Sequence, residues 1–187
     1  MLSAVFLDRD GVINENREDY VKSLNELRFL PGAIRAIARL TSAGFRVIVV
    51  SNQQGVAKGV ITRQALEEVE RALTEELAAA GSKLAGAYYC PHLQEENCDC
   101  RKPKPGLMLR AASELGFDVA DAIFVGDSHK DVEAGRNAGC RTILALSGKT
   151  AGDDVGGLPL QPDHVVADLA EAADLIVREY RPQVQSV

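Results

Sequence analysis

A chain of 187 residues, 46% hydrophobic and 26% charged, is long enough for one domain with a sizeable core. A net charge of −6 argues against a nucleic-acid partner, because affinity for a phosphate backbone rests on basic patches. No apolar run reaches the roughly 20 residues that span a bilayer, and Asp8 interrupts the first apolar run before it could serve as a cleavable signal. The expectation is a cytoplasmic protein with no membrane partner, in which four cysteines point to metal or catalysis before disulfides.

Ala4-Val5-Phe6-Leu7 reads as a buried strand of a parallel sheet, and it runs straight into Asp8-Arg9-Asp10-Gly11. Residues 14–30 are polar and charged without a usable period; a rim contact is expected among Asn16 to Asp19, with no individual assignment. Pro31-Gly32 opens a helix carrying Ile34, Ile37 and Leu40, stopped by Gly44. Phe45 to Val50 is a second buried strand that delivers the loop Ser51-Asn52-Gln53-Gln54-Gly55. Thr62 caps a long helix with an apolar stripe of Leu66, Val69, Leu73 and Leu77, ended by Gly81.

Ala85 to Tyr89 is the third strand, followed by a cysteine-rich loop and Arg101-Lys102-Pro103. A helix from Leu107 to Leu115, closed by Gly116, leads to a fourth strand, Ala122 to Val125, and to Gly126-Asp127-Ser128. A short helix to Gly139 and a fifth strand, Thr142 to Leu146, follow. Residues 147–162, rich in glycine with two prolines, read as a mobile loop. A short strand, His164 to Val166, and a helix started by Asp168 and Glu171 complete the chain, with Leu169, Ala172 and Ile176 facing inward. Alternating strands and helices predict an α/β fold: a parallel sheet with helices on both faces, in one domain spanning residues 1–187.

Right-handed crossovers would bring the carboxyl ends of these strands to one edge, so Asp8/Asp10, Ser51/Asn52 and Asp127 converge. Two carboxylates held together call for a divalent cation with oxygen ligands, most naturally Mg²⁺. Asp8 and Asp127 would hold it with the backbone carbonyl of Asp10. Asp8 can attack phosphorus to form an aspartyl-phosphate, and Asp10 can protonate the leaving oxygen and then activate water. Ser51 and neighbouring backbone N–H groups suit phosphate oxygens, Asn52, Gln53 and Gln54 being the substrate-facing positions of that loop. Lys102 supplies a fixed positive charge.

The strings D-R-D-G-V-I-N, S-N-Q, K-P before a helix and G-D-x-x-x-D, in that order, resemble the four motifs of the haloacid dehalogenase (HAD) superfamily. The resemblance implies a HAD-like Rossmannoid fold without a large cap domain. It implies Asp8 as nucleophile, Asp10 as general acid/base, Ser51 and Lys102 as phosphoryl stabilisers and Asp127 as a Mg²⁺ ligand. Asp131 becomes an accessory acid that orients Lys102 or a metal-bound water. The plainer reading of Asp131 is a first-turn acid favoured by the helix dipole.

Cys90-x-His92 and Cys98-x-Cys100 provide three thiolates and one imidazole, the donor set of a closed, structural Zn²⁺ site in a loop spanning 90–100. A disulfide within C-x-C would be strained. Pinning this loop would aim Arg101 and Lys102 at the substrate. Cys140 has no such partner and reads as a small core residue.

The zinc loop followed by C-R-K-P-x-P-G is similar to the D-glycero-D-manno-heptose-1,7-bisphosphate 7-phosphatase family. That likeness implies hydrolysis of the 7-phosphate of a small bisphosphorylated sugar, with Arg101 recognising the phosphate that is not cleaved, a bidentate task suited to a guanidinium. Some members carry a lysine where this chain has Ser128, which leaves Lys130 or His129 to compensate. Histidinol phosphate or another small phosphomonoester is the alternative substrate. A non-catalytic zinc-stabilised phosphate-binding module is the alternative of a different class, opposed by the paired Asp8 and Asp10. The default oligomeric state is a monomer.

Overall fold

Strand β1 (Ala4–Leu7) forms the axis of the fold, and all four of its residues are buried. Its side chains alternate as a pleated strand requires, with Val5 and Leu7 entering one hydrophobic cluster and Ala4 and Phe6 the other. The computed structural model describes residues 4–180, so the outermost residues of the expected single domain lie outside the described ones.

Five further strands join β1: β2 (Arg46–Asn52), β3 (Gly86–Cys90), β4 (Ala122–Gly126), β5 (Arg141–Ala145) and β6 (His164–Val166). Their order is β3-β2-β1-β4-β5-β6, with every pairing parallel. The chain winds outward from β1 through β2 to β3, then returns to lay β4 on the other side of β1. The gap between β1 and β4 is therefore the topological switch point, where α/β sheets open a crevice at their carboxyl edge.

Helices α1 (Ala33–Ser42), α2 (Arg63–Ala79) and α5 (Leu169–Glu179) cover one face through Ile37, Leu40, Leu73, Leu77, Leu169 and Ile176. Helices α3 (Gly106–Leu115) and α4 (His129–Ala138) cover the other through Leu107, Met108, Ala111 and Ala134. The expected caps are present: Thr62 Oγ1 accepts from Ala65 N–H at 3.0 Å, and Asp168 Oδ1 accepts from Glu171 N–H at 2.9 Å. Cys140 is buried in the second cluster, as expected. Among the described residues no helix is long and apolar enough to cross a membrane.

One local expectation needs correction, and two stretches without an assigned element gain definition. Ser51, Asn52 and Cys90 belong to strands and not to the loops that follow, because β2 and β3 stay paired through Ser51↔Tyr89 and Asn52↔Cys90. Residues 14–30 form an ordered excursion, closed at its base by Glu15 N–H to Arg28 O (2.8 Å) and Leu30 N–H to Ile13 O (2.9 Å). Residues 147–162 contain a 3-10 helix, Gly152–Gly157, and their first residues are tied into the carboxyl edge of the sheet.

Candidate active site

Parallel pairing of Leu7 with Val125 sets the next residues of β1 and β4 side by side. Asp8 is held there by its own N–H, which donates to Val125 O at 3.0 Å. Asp131, in the first turn of α4, completes a buried group in which carboxylate oxygens of Asp8, Asp127 and Asp131 all lie within 4.8 Å of one another. Lys102 Nζ enters this group, 2.6 Å from Asp131 Oδ1 and 2.9 Å from Asp8 Oδ1. Burial alone would discharge this ammonium, but Asp131 and Asp8 outweigh it and hold Lys102 charged. Asp131 is anchored in turn by Ser128, whose Oγ donates to Asp131 Oδ2 at 2.6 Å. Asp131 is thus both a first-turn acid of α4 and an ion-pair partner of Lys102.

Three carboxylates face one ammonium, which pairs with Asp8 and Asp131. Burial, then repulsion from Asp131 and Asp8, pushes the Asp127 carboxyl up to about 8. Its Oδ1 is buried without a hydrogen-bond partner, whereas Oδ2 accepts from Lys149 N–H at 2.9 Å. Burial raises Asp8 as well, against the pull of Lys102. An orphaned oxygen beside a second carboxylate is the donor set that a hard divalent cation satisfies. The backbone is shaped to seat the Asp127 carboxylate itself. A Cβ on Gly11, which has φ +88°, would lie 2.2 Å from Asp127 Oδ2, and one on Gly148 would lie 2.1 Å from the same atom.

The Asp10 carboxylate stands apart from this group, which leaves its backbone carbonyl as the available ligand. Its Oδ1 accepts from Asn14 Nδ2 at 2.8 Å and Oδ2 from Gln53 Nε2 at 2.7 Å, while Arg9 Nη2 reaches both oxygens at 3.0 Å. Burial would raise this group, but Arg9 and the two amides more than offset it and keep Asp10 ionised. Gln53 is therefore not on the cleft surface as expected. It is 1% exposed and braces Asp10 and Ser51, donating to Ser51 Oγ at 3.1 Å.

These groups open into a cavity of about 590 Å³ lined by Asp8, Asp10, Ser51, Asn52, Gln54, Arg101, Lys102 and Asp131. Asn52 exchanges two bonds with the main chain of Lys102, Nδ2 donating to its carbonyl and Oδ1 accepting from its N–H, both at 3.0 Å. Gln54 Oε1 accepts from Arg101 Nη2 at 3.0 Å and its Nε2 donates to Tyr20 Oη at 2.9 Å. Asn16, Arg17, Glu18, Tyr20, Lys130 and Lys149 also line the cavity. Asn16, Arg17 and Glu18 fall within the stretch where a rim contact is expected, whereas Tyr20 and Lys149 have no sequence signal: residues 14–30 show no period, and Lys149 sits in a glycine-rich stretch. His129 is on the neighbouring depression with Lys130 and Lys149, outside the main cavity.

The cysteine loop closes on itself. Cys90 Sγ lies 3.3 Å from Cys100 Sγ and 3.6 Å from Cys98 Sγ, and His92 Nδ1 lies 3.2 Å from Cys100 Sγ. Burial pushes the Cys98 thiol up, but hydrogen bonds from Cys100 and Cys90 bring it down to about 7, whereas burial holds Cys90 and Cys100 above the ordinary thiol value. Three sulfurs and one imidazole nitrogen converging on one point match the tetrahedral donor set of zinc. Arg101, directly after Cys100, donates from Nη1 to His92 O at 3.3 Å, so the cluster and the cavity rim share a backbone.

A family model described as HAD-hydrolase-like matches residues 99–172. D-glycero-beta-D-manno-heptose-1,7-bisphosphate 7-phosphatase of Pseudomonas aeruginosa is 41% identical over 177 residues, covering 94% of this chain and 98% of that protein. The protein of the same name from Bordetella bronchiseptica is 37% identical, covering 95% and 99%. A crystal structure of D,D-heptose 1,7-bisphosphate phosphatase from B. bronchiseptica, complexed with magnesium and phosphate, superposes with a TM-score of 0.88 at 35% identity, over 95% of this chain and 99% of the other.

Proposed function

The chain belongs to the D-glycero-β-D-manno-heptose-1,7-bisphosphate 7-phosphatase family of HAD-like phosphatases, and from that membership we propose that it removes the 7-phosphate of the β-anomer of this bisphosphate. The observation that carries the reading is the placement of Asp8 beside Lys102 and the unpartnered Asp127 oxygen, at the floor of a cavity whose mouth bears Arg101. Relatives named for the β-anomer favour it over the α-anomer and over histidinol phosphate.

In the first step Asp8 attacks phosphorus, the bond to the sugar's O7 breaks, and Asp10 gives a proton to that oxygen. In the second step Asp10 takes a proton from water as the water oxygen attacks the aspartyl-phosphate, releasing phosphate and restoring Asp8. The clamp of Arg9, Asn14 and Gln53 suits Asp10 to the base half of this cycle. An entering phosphate, itself negative, raises the same group for the acid half. Lys102, fixed by Asp131 and Asn52, meets the charge on the transferring phosphoryl oxygens, with Ser51 as a further donor.

Mg²⁺, which the B. bronchiseptica crystal structure holds with phosphate, would be held here by Asp8, Asp127 and the Asp10 carbonyl and would offset the negative charge that otherwise repels phosphate. Zn²⁺ would be held by Cys90, His92, Cys98 and Cys100 as a closed structural site. The protein works as a cytoplasmic monomer on a small phosphorylated sugar. Phosphate release with Mg²⁺ from both anomers of heptose 1,7-bisphosphate and from histidinol phosphate tests the reading. A dominant kcat/KM for the β-bisphosphate is expected, and a preference for histidinol phosphate overturns it.

A further inference from the structure

A chain of hydrogen bonds crosses the rim of the cavity and joins three separate segments. Lys58 Nζ donates to Tyr20 Oη at 3.1 Å, Gln54 Nε2 donates to the same oxygen at 2.9 Å, Arg101 Nη2 donates to Gln54 Oε1 at 3.0 Å, and Arg101 Nη1 donates to His92 O at 3.3 Å. The direction of every bond is dictated by its ends. A guanidinium has donors only, so the Gln54 amide must turn its oxygen to Arg101 and its NH₂ to Tyr20. An ammonium also has donors only, so the Tyr20 oxygen must accept from both sides. The arrangement has no alternative polarity, which makes it stiff.

We propose that Tyr20 and Gln54 are positioning residues that hold the Arg101 guanidinium in one plane at the cavity mouth, so that preference for a substrate with a second anionic group depends on them. The inference rests on the proposed role of Arg101 in binding the phosphate that is not cleaved. Arg101 reaches no carboxylate in these bonds: its two partners are neutral oxygens, so its charge is left for a ligand. Holding it in advance removes the rotamer entropy that a long flexible cation loses on binding. The Tyr20 ring lies directly over the segment that carries Gln54 and Lys58, since a Cβ on Gly55 would lie 3.2 Å from its ring carbon Cγ.

The test is steady-state kinetics of wild type, Tyr20→Phe, Gln54→Leu, Arg101→Ala and the Tyr20→Phe/Arg101→Ala double variant, on β-heptose 1,7-bisphosphate and on heptose 7-phosphate. Tyr20→Phe removes one oxygen and Gln54→Leu the amide. Each is expected to raise KM for the bisphosphate about three- to tenfold, the effect of one or two hydrogen bonds, with kcat within about twofold. KM for heptose 7-phosphate should rise much less, and Tyr20→Phe should add nothing once Arg101 is gone. An unchanged bisphosphate KM in Tyr20→Phe, equal effects on both substrates, or additivity with Arg101→Ala overturns the proposal. If wild type does not distinguish the two substrates, the assigned substrate fails, and nitrogen-15 NMR of the Arg101 side chain decides the relay alone. A guanidinium restrained in wild type and freely rotating in Tyr20→Phe upholds it, and an unaltered signal overturns it.

Discussion

Asn52 and Lys102 are joined as two strands would be, the side-chain amide of one bonding both the N–H and the C=O of the other at 3.0 Å. Asn52 closes β2, so the rigidity of the central sheet passes directly to the residue whose ammonium lies among the carboxylates. Asn52→Ala is expected to lower kcat by about 10- to 100-fold, since displacement of a charge-stabilising group by about 1 Å costs that much. Aspartate at this position should be worse, because its carboxylate faces the Lys102 carbonyl. Phosphate-release kinetics, with circular dichroism to show that the fold is kept, check both.

Asp8→Asn should abolish turnover, lowering kcat by more than about 10³-fold, without loss of stability. Lys102 keeps Asp131 as its partner at 2.6 Å, and one of three crowded carboxylates is neutralised. A melting temperature equal to or above that of wild type is therefore expected. Retention of near-normal rates in Asp8→Asn would rule out the covalent route.

Gly148→Ala places a methyl group 2.1 Å from Asp127 Oδ2 and must push that carboxylate aside. The Mg²⁺ concentration for half-maximal rate is expected to rise about 10- to 100-fold, the usual cost of disturbing the surroundings of a metal ligand. Titration of activity with MgCl₂ reads this directly. A rate restored by high Mg²⁺ separates loss of metal affinity from loss of the fold.

Removal of zinc should reduce stability before it alters the chemistry. Thermal melts with and without a zinc chelator, together with metal analysis, are expected to show a bound ion and a clear drop in melting temperature on stripping. Cys98→Ser should reproduce the drop. Because Arg101 is bonded to the His92 carbonyl, KM for the bisphosphate should then rise while the floor of the site is still intact.

Asp163 ties the start of β5 to α4. Its Oδ2 accepts from Thr142 N–H at 2.7 Å, and its Oδ1 from Arg136 Nη2 at 3.0 Å. Burial would raise its pKa, but these partners outweigh burial and hold it below the ordinary carboxylate range. A group depressed in the folded state stabilises it fully above its unfolded pKa of about 3.9, and that stability is lost as pH falls through the folded value. Asp163→Asn should therefore cost about 1 kcal/mol at pH 7 and make little difference at the acid end of the curve. Urea unfolding across pH tests both arms.

The floor of the site was legible because its chemistry is local in sequence: Asp8 and Asp10 follow one buried run and Asp127 another, and parallel pairing brings such ends together. The cysteine cluster was legible for the same reason, its four donors falling within eleven residues. Gln53 was misread because the strand before it runs on. Its N–H continues the pairing by donating to Cys90 O at 2.7 Å, and its side chain turns inward to Asp10. Residues 147–162 read as a mobile loop on composition, yet within them the N–H groups of Lys149 and Thr150 hold Asp127, and main-chain donors carry no mark in the residue type. Tyr20 escaped notice because it belongs to a segment shaped by individual bonds and not by a period.

The order of the strands also governs when the enzyme comes into being during synthesis. β1 leaves the ribosome well before its neighbour β4 and the turn carrying Gly148 and Lys149. Until they do, Asp8 has neither Asp127 nor Asp131 beside it. A ribosome-bound chain stalled before β4 should therefore be inert toward phosphate esters, with activity appearing abruptly once the segment that wraps Asp127 is free to dock.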